Sequence, residues 1–144
     1  MVAVPSSGAL EVLERMRQAA IARSAGDMGS VYAVDAVHEF PFAKPGVATR
    51  LEGRDAIMGF ITAFWDTSPL RYELYRTIAI HGTADPDTIV VEQEVAGTSS
   101  TTGSFVLPNI MVLKTRQGQI AHLRDYANLL AVEEAAGGGS VPAG

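Results

Sequence analysis

The chain has 144 residues, 47% of them hydrophobic and 19% charged, with 14 glycines and 7 prolines, a balance that excludes a disordered protein and suits one domain burying roughly 68% of its unfolded surface. Its net charge is −5, and the eleven Lys and Arg residues are scattered without a run, so a nucleic-acid partner, which needs a basic stripe, is not expected. There is no cysteine, which removes disulfides, thiol nucleophiles, Fe–S clusters and cysteine-ligated zinc.

The opening "MVAVPSSGAL" has no basic segment followed by an apolar one, and no run of 18 apolar residues occurs. The expectation is a soluble, cytoplasmic chain with no membrane partner. Residues 7 to 25 read as an amphipathic helix capped by Ser6 or Ser7, with Leu10, Leu13, Met16, Ala20 and Ile21 on one stripe and Gly26 as its stop. Asp27 caps a second short helix, about 28 to 34. "DAVHEFPF" reads as a strand ending at Pro41, and "AKPGVATRLEG" as a loop. In "RDAIMGFITAFW", Ile57, Phe60, Ile61, Phe64 and Trp65 recur at helical spacing, predicting a third helix that breaks at "TSP".

From residue 70 the period changes to 2. Four runs, 70 to 81, 88 to 97, 104 to 115 and 119 to 126, are separated by "GTADPD", "TSSTTG" and "RQGQ", which are hairpin-turn compositions. A last short helix covers 129 to 136, and the Gly-rich stretch 137 to 144 reads as a mobile tail. Helices followed by an antiparallel meander define an α+β domain spanning residues 1 to 136.

Alternation along each strand assigns faces. Glu92 and Glu94 share a face with Val90 and Ala96, and either look into a pocket or lie on a solvated side of the sheet. Asp125 falls with Ala121 and Leu123, opposite His122, Arg124 and Tyr126, which favours an interior position. Asn109, Met111 and Leu113 fall opposite Lys114, on the inner face.

The blocks "GDMGSVYAVDAVHEFPFA", "LEGRDAI", "VVEQEVAG", "TTGSF" and "RQGQIAHLRDYANLLAV", taken in this order over residues 10 to 132, resemble the SnoaL-like group of the nuclear-transport-factor-2-like superfamily. Arg-Asp-Tyr after a Gly-x-Ile turn is the most specific piece. The resemblance implies a cone in which a curved antiparallel sheet wraps an N-terminal helix around an apolar pocket, and a homodimer built through the outer sheet face. Because the superfamily holds ketosteroid isomerases, limonene-type epoxide hydrolases, polyketide cyclases and non-catalytic binders, the residues must decide the chemistry. The isomerase's basic aspartate position, just before Pro41, is Phe40; its oxyanion tyrosine falls near Ala19 and its protonated aspartate near Asn109. That pattern is lost. Against the epoxide-hydrolase motif, Asp125 matches the second aspartate and Glu94 the first, while the arginine becomes Glu92. In the cyclase pattern Asp125 matches the acid/base.

The implied mechanism is cofactor-independent acid/base catalysis by Asp125 and Glu94, with Glu92 beside them, in an apolar cone where proximity and desolvation raise at least one carboxyl pKa. Asn109 would hydrogen-bond an oxyanion, and Phe40, Trp65 and Met111 would supply walls, although Trp65 also suits plain core. His38 would be either a base in the cavity or a structural histidine. His81 and His122 belong on the outer face or at an end. The histidines lack metal-ligand spacing, so no metal is expected. Two functions follow: an isomerase, cyclase or hydrolase of secondary metabolism acting on an apolar oxygenated small molecule, or a non-catalytic ligand-binding or dimerisation module.

Overall fold

The computed structural model describes residues 2–138, so the stretch from 139 onward, most of the Gly-rich tail, lies outside the described residues. Ser6 accepts the Ala9 N–H with its hydroxyl at 3.1 Å and starts α1, Ser7–Ala22. The helix ends earlier than the Gly26 stop: Arg23 takes the left-handed conformation, φ 50°, that closes it. What holds a non-glycine there is its side chain, whose guanidinium donates to the carbonyls of Trp65 (2.8 Å) and Leu70. Ser24, rather than Asp27, caps α2, Ala25–Val31, by accepting the Asp27 N–H. Strand β1 (Tyr32–Glu39) follows, then β2 (Arg50–Glu52), a short strand inside the segment expected to be loop. Helix α3 spans Arg54–Thr67.

Strands β3 (Leu70–Gly82), β4 (Thr88–Ser99), β5 (Gly103–Arg116) and β6 (Gln119–Ala127) form the expected antiparallel meander, and α4 (Leu129–Ala135) closes the described chain, capped by Asn128. Gln117 and Gly118 both have positive φ, 52° and 73°, at the β5–β6 turn, as a tight hairpin between right-twisted strands requires. The sheet order is β2-β1-β6-β5-β4-β3. Pairing of β1 with β6 is parallel, His38 lying opposite Leu123. Local hairpin patterns carry no information about a pairing of strands so distant in the chain. Together four helices and a curved six-stranded sheet make the α+β architecture.

The core lies between α1 and the concave face of the sheet. Ala9, Val12, Leu13, Met16, Ala19 and Ala20 pack against Val31, Tyr32, Ile89, Val91, Met111, Leu113, Ile120 and Leu123. The buried face of α1 is rotated from the expected stripe: Leu10 is exposed, while Arg17 is only 7% exposed. On α3, Ile57 is fully buried, but Phe60, Ile61, Phe64 and Trp65 are half-buried, because they wall a cavity instead of filling a core. Thr101 and Thr102 donate to the carbonyls of Ala136 and Ala135, which ties the β4–β5 hairpin to the end of α4.

Gly97 sits where β3 shifts register between Tyr72 and Leu74, and a Cβ built on it would stand 1.9 Å from the Arg71 carbonyl oxygen. Backbone cannot yield as a flexible side chain can. Gly97→Ala is therefore expected to lose about 2 kcal/mol or more, read as a lowered midpoint in urea or heat; an unchanged midpoint would show that β3 moves away freely.

Candidate active site

Concave-face positions of four neighbouring strands converge under α3 and α4. They enclose a cavity of about 220 Å³ lined by His38 and Phe40 from the β1 end, Gln93 and Val95 from β4, Leu107, Asn109 and Met111 from β5, and Leu123 and Asp125 from β6. Phe60, Phe64 and Trp65 of α3 and Leu129 and Val132 of α4 close it from above. Tyr72 and Tyr75 also face inward. Three residues apart, they would point to opposite sides of a regular strand; the register shift after Tyr72 turns both to the same side.

Asp125 is the cavity's carboxylate. Its Oδ1 accepts from Asn109 Nδ2 at 2.9 Å, and its Oδ2 stands 3.9 Å from His38 Nε2, too far for a hydrogen bond. The Asp125 side chain keeps 20% exposure, through the cavity. His38, 5% exposed, lies between Tyr32 and Phe40, with ring centroids 6.1 and 4.6 Å away, and its Nδ1 is 3.1 Å from the Tyr32 hydroxyl. Among the described residues its buried Nε2 has no hydrogen-bond partner. A carboxylate only accepts, so the favourable neutral tautomer carries its proton on Nε2, toward Asp125, with the Tyr32 hydroxyl donating to Nδ1. Burial, reinforced by the negative charge of Asp125, raises the phenol pKa of Tyr32; burial likewise raises Tyr75, with the neighbouring Tyr72 and Asp125 adding to it. Tyr72 is pushed up to about 12, again chiefly by burial and then by Asp125. These three phenols are protonated donors at neutral pH.

The expected meeting of Glu94 with Asp125 does not occur. Glu92 and Glu94 do share a face, but it is the outer one: in β4 the inward set is Ile89, Val91, Gln93 and Val95. Glu94 pairs with Arg76, and Glu92 with His81 at 2.6 Å. Both acids are removed from the site by the single-residue alternation of a strand. Asn109, Met111, Phe40, His38 and Trp65 line the cavity. His81 and His122 lie on the outer face or edge, His122 against Glu39. Among the described residues no three His, Asp or Glu side chains are grouped to hold a metal ion, and no helix is long and apolar enough to cross a membrane.

The residues missed from sequence are Gln93, Tyr32, Tyr72 and Tyr75. Gln93 had a signal, for it is in period with Ile89, Val91 and Val95, flanked by the two glutamates that drew attention away. The tyrosines had none, since a bulge is invisible to a period-2 template.

Fold and cavity together define a small α+β cone that encloses an apolar pocket with a few inward polar groups. The chain belongs to the SnoaL-like domain family, whose model matches residues 13–123. It is 37% identical to the uncharacterised PhzA/B-like protein PA3332 of Pseudomonas aeruginosa over 105 residues, 72% of each chain. Among solved structures, a Bacillus subtilis protein provisionally called an isomerase superposes with a TM-score of 0.82 at 30% identity, covering 91% of this chain and 94% of that one. A Mycobacterium tuberculosis LEH-like epoxide hydrolase (TM-score 0.66, 16% identity, 94% of each chain) shares the fold. So does Rv0760c of the same organism in complex with estradiol-17β-hemisuccinate (TM-score 0.68, 16% identity, 88% of this chain and 98% of that one).

Proposed function

We propose that the cavity binds a compact, apolar, oxygenated small molecule and that Asp125 moves a proton on it without a cofactor. The observation that carries this reading is the placement of one carboxylate in an apolar cavity with one oxygen held by Asn109 and the other left to the cavity. A charge in an apolar cavity with only part of its hydrogen-bonding capacity met costs stability, and groups kept at such a cost cluster at functional sites. With a carbonyl ligand, Asp125 Oδ2 takes a proton from the carbon next to the carbonyl. The C–H pair becomes a C=C bond, the carbonyl π pair moves onto oxygen, and return of the proton at the same or a vinylogous carbon completes an exchange or isomerisation. Asn109 fixes the carboxylate's rotamer, and His38, oriented by Tyr32, supports its charge. Fold relatives that include an epoxide hydrolase and a steroid-hemisuccinate complex are compatible with such a ligand.

Deuterium uptake at the carbons flanking the carbonyl of 2-tetralone, followed by NMR in D2O, tests this. Uptake above the buffer rate that requires Asp125 supports catalysis. Saturable binding without uptake rejects proton transfer and makes the chain a binding module, and the absence of both binding and uptake overturns the whole reading.

Homodimerisation through the outer sheet face belongs to the same proposal. There Leu74 (60% exposed), Val106 (56%) and Ile110 (42%) leave apolar surface uncovered, and Leu74 and Val106 flank Ala96 in neighbouring strands. A second copy of the same face satisfies this surface by two-fold symmetry. Val106→Lys is expected to convert a dimer to a monomer in sedimentation equilibrium while leaving 2-tetralone binding intact; a wild-type chain that sediments as a monomer rejects the dimer.

A further inference from the structure

Arg17 is a charge on the face of α1 that packs into the core. Its guanidinium donates to Gln93 Oε1 twice, from Nε at 3.0 Å and from Nη2 at 2.8 Å, and lies 5.6 Å from the centroid of the Tyr75 ring. Its carboxylate neighbour, Glu14, is 4.0 Å away and 61% exposed, so the charge is compensated mostly by neutral groups. A guanidinium can only donate, and this decides which end of the Gln93 amide faces it. The oxygen turns to Arg17, and the NH2 turns the other way. Gln93 is 4% exposed and lines the cavity, and among the described residues its Nε2 reaches only Met111 Sδ, a weak acceptor at 3.7 Å. A buried amide donor with so poor a partner is a cost unless something else accepts from it.

We infer that Gln93 Nε2 is the donor that reads an acceptor oxygen, carbonyl or enolate, on the cavity's ligand, and that Arg17 is the positioning residue that holds the amide in that orientation. This rests on the proposed ligand cavity and specifies its ligand. Pairing places Gln93 opposite Asn109, and Asp125 opposite Met111. Donor and base thus sit on β4 and β6 with β5 between them, roughly 10 Å apart across the sheet at the backbone. A ligand that engages both turns its oxygen to Gln93 and a hydrogen on a flanking or vinylogous carbon to Asp125, as a bicyclic or conjugated ketone can. The Arg17 charge also polarises the amide through its oxygen, which strengthens the Nε2–H donor as negative charge grows on the ligand oxygen.

The test compares 2-tetralone with tetralin, the same bicycle without the oxygen, by fluorescence of Trp65, the chain's one tryptophan and part of the cavity wall. Wild-type protein is expected to bind the ketone about five- to tenfold more tightly. Gln93→Glu keeps a partner for Arg17 but replaces the donor by an acceptor, so the preference should vanish or invert while tetralin affinity stays within about twofold. Arg17→Met/Gln93→Leu removes the buried charge and the amide together and should show the same loss, which covers a single variant that does not fold. A merely structural role for Arg17 would weaken both probes equally. Persistence of the ketone preference in either variant, or its absence in the wild type, overturns the inference and leaves the proton-transfer reading standing. Failure of the wild-type protein to bind either probe overturns both.

Discussion

Asp125→Asn is expected to reduce deuterium exchange of 2-tetralone by about 10²- to 10⁴-fold, the range for loss of a positioned general base. The substitution is close to isosteric. Asn109 Nδ2 can still donate to the remaining carbonyl oxygen, so the 2.9 Å contact that orients the side chain persists, and the fold and tetralin affinity should change little. What is lost is the second oxygen as a proton acceptor. Glu94→Gln serves as the counterpart, since Glu94 sits on the opposite face of the sheet against Arg76 and its removal should leave exchange at the wild-type rate. Wild-type exchange in Asp125→Asn, or a comparable loss in Glu94→Gln, would sink the assignment of the base.

Alkaline pH should unfold the protein in a narrow range above pH 10. The phenols of Tyr32, Tyr72 and Tyr75 are all raised from their ordinary 10.0, Tyr72 to about 12, with burial as the leading cause in each. Above pH 10 the unfolded chain releases these protons while the folded chain keeps them, so stability falls as pH rises. The contribution is fully present below pH 10 and disappears as pH passes the folded values. Each group costs about 1.4 kcal/mol per pH unit in that interval. All three line the cavity; Tyr32 is fully buried, while Tyr72 and Tyr75 are half-buried. Against a typical stability of about 5–15 kcal/mol this is enough to bring the unfolding midpoint within reach. Phenolate absorbance and circular dichroism should change together in one step. Tyr72→Phe should shift that step to higher pH, and gradual ionisation with the fold intact would contradict the account.

The four strands of the meander and the helices over 7–22, 54–67 and 129–135 were legible because each follows a local rule: a hydrophobic period, a cap or a turn dipeptide. So were the inward directions of Asn109, Met111 and Asp125, each anchored by apolar neighbours two residues away. Glu92 and Glu94 were placed on one face correctly, but motif matching aligned them with catalytic positions one residue out of phase. A shift of one residue exchanges the two faces of a strand, so the side chain that enters the cavity is the intervening Gln93.

Composition, periodicity and turn chemistry by themselves determined the class of fold and the order of most of its elements and favoured an inward Asp125, because these depend on residues close together in the chain; they left Glu94 and Glu92 as further inward candidates, which the structure puts on the outer face. The tertiary structure decided which face of β4 looks inward, that His38 comes beside Asp125 through a parallel pairing of β1 with β6, that a bulge turns two tyrosines into the cavity, and that a buried arginine on α1 orients a glutamine on β4. Those contacts join residues as far as 87 positions apart, His38 to Asp125 among them. Their energies depend on packing across the sheet, which no window along the chain contains.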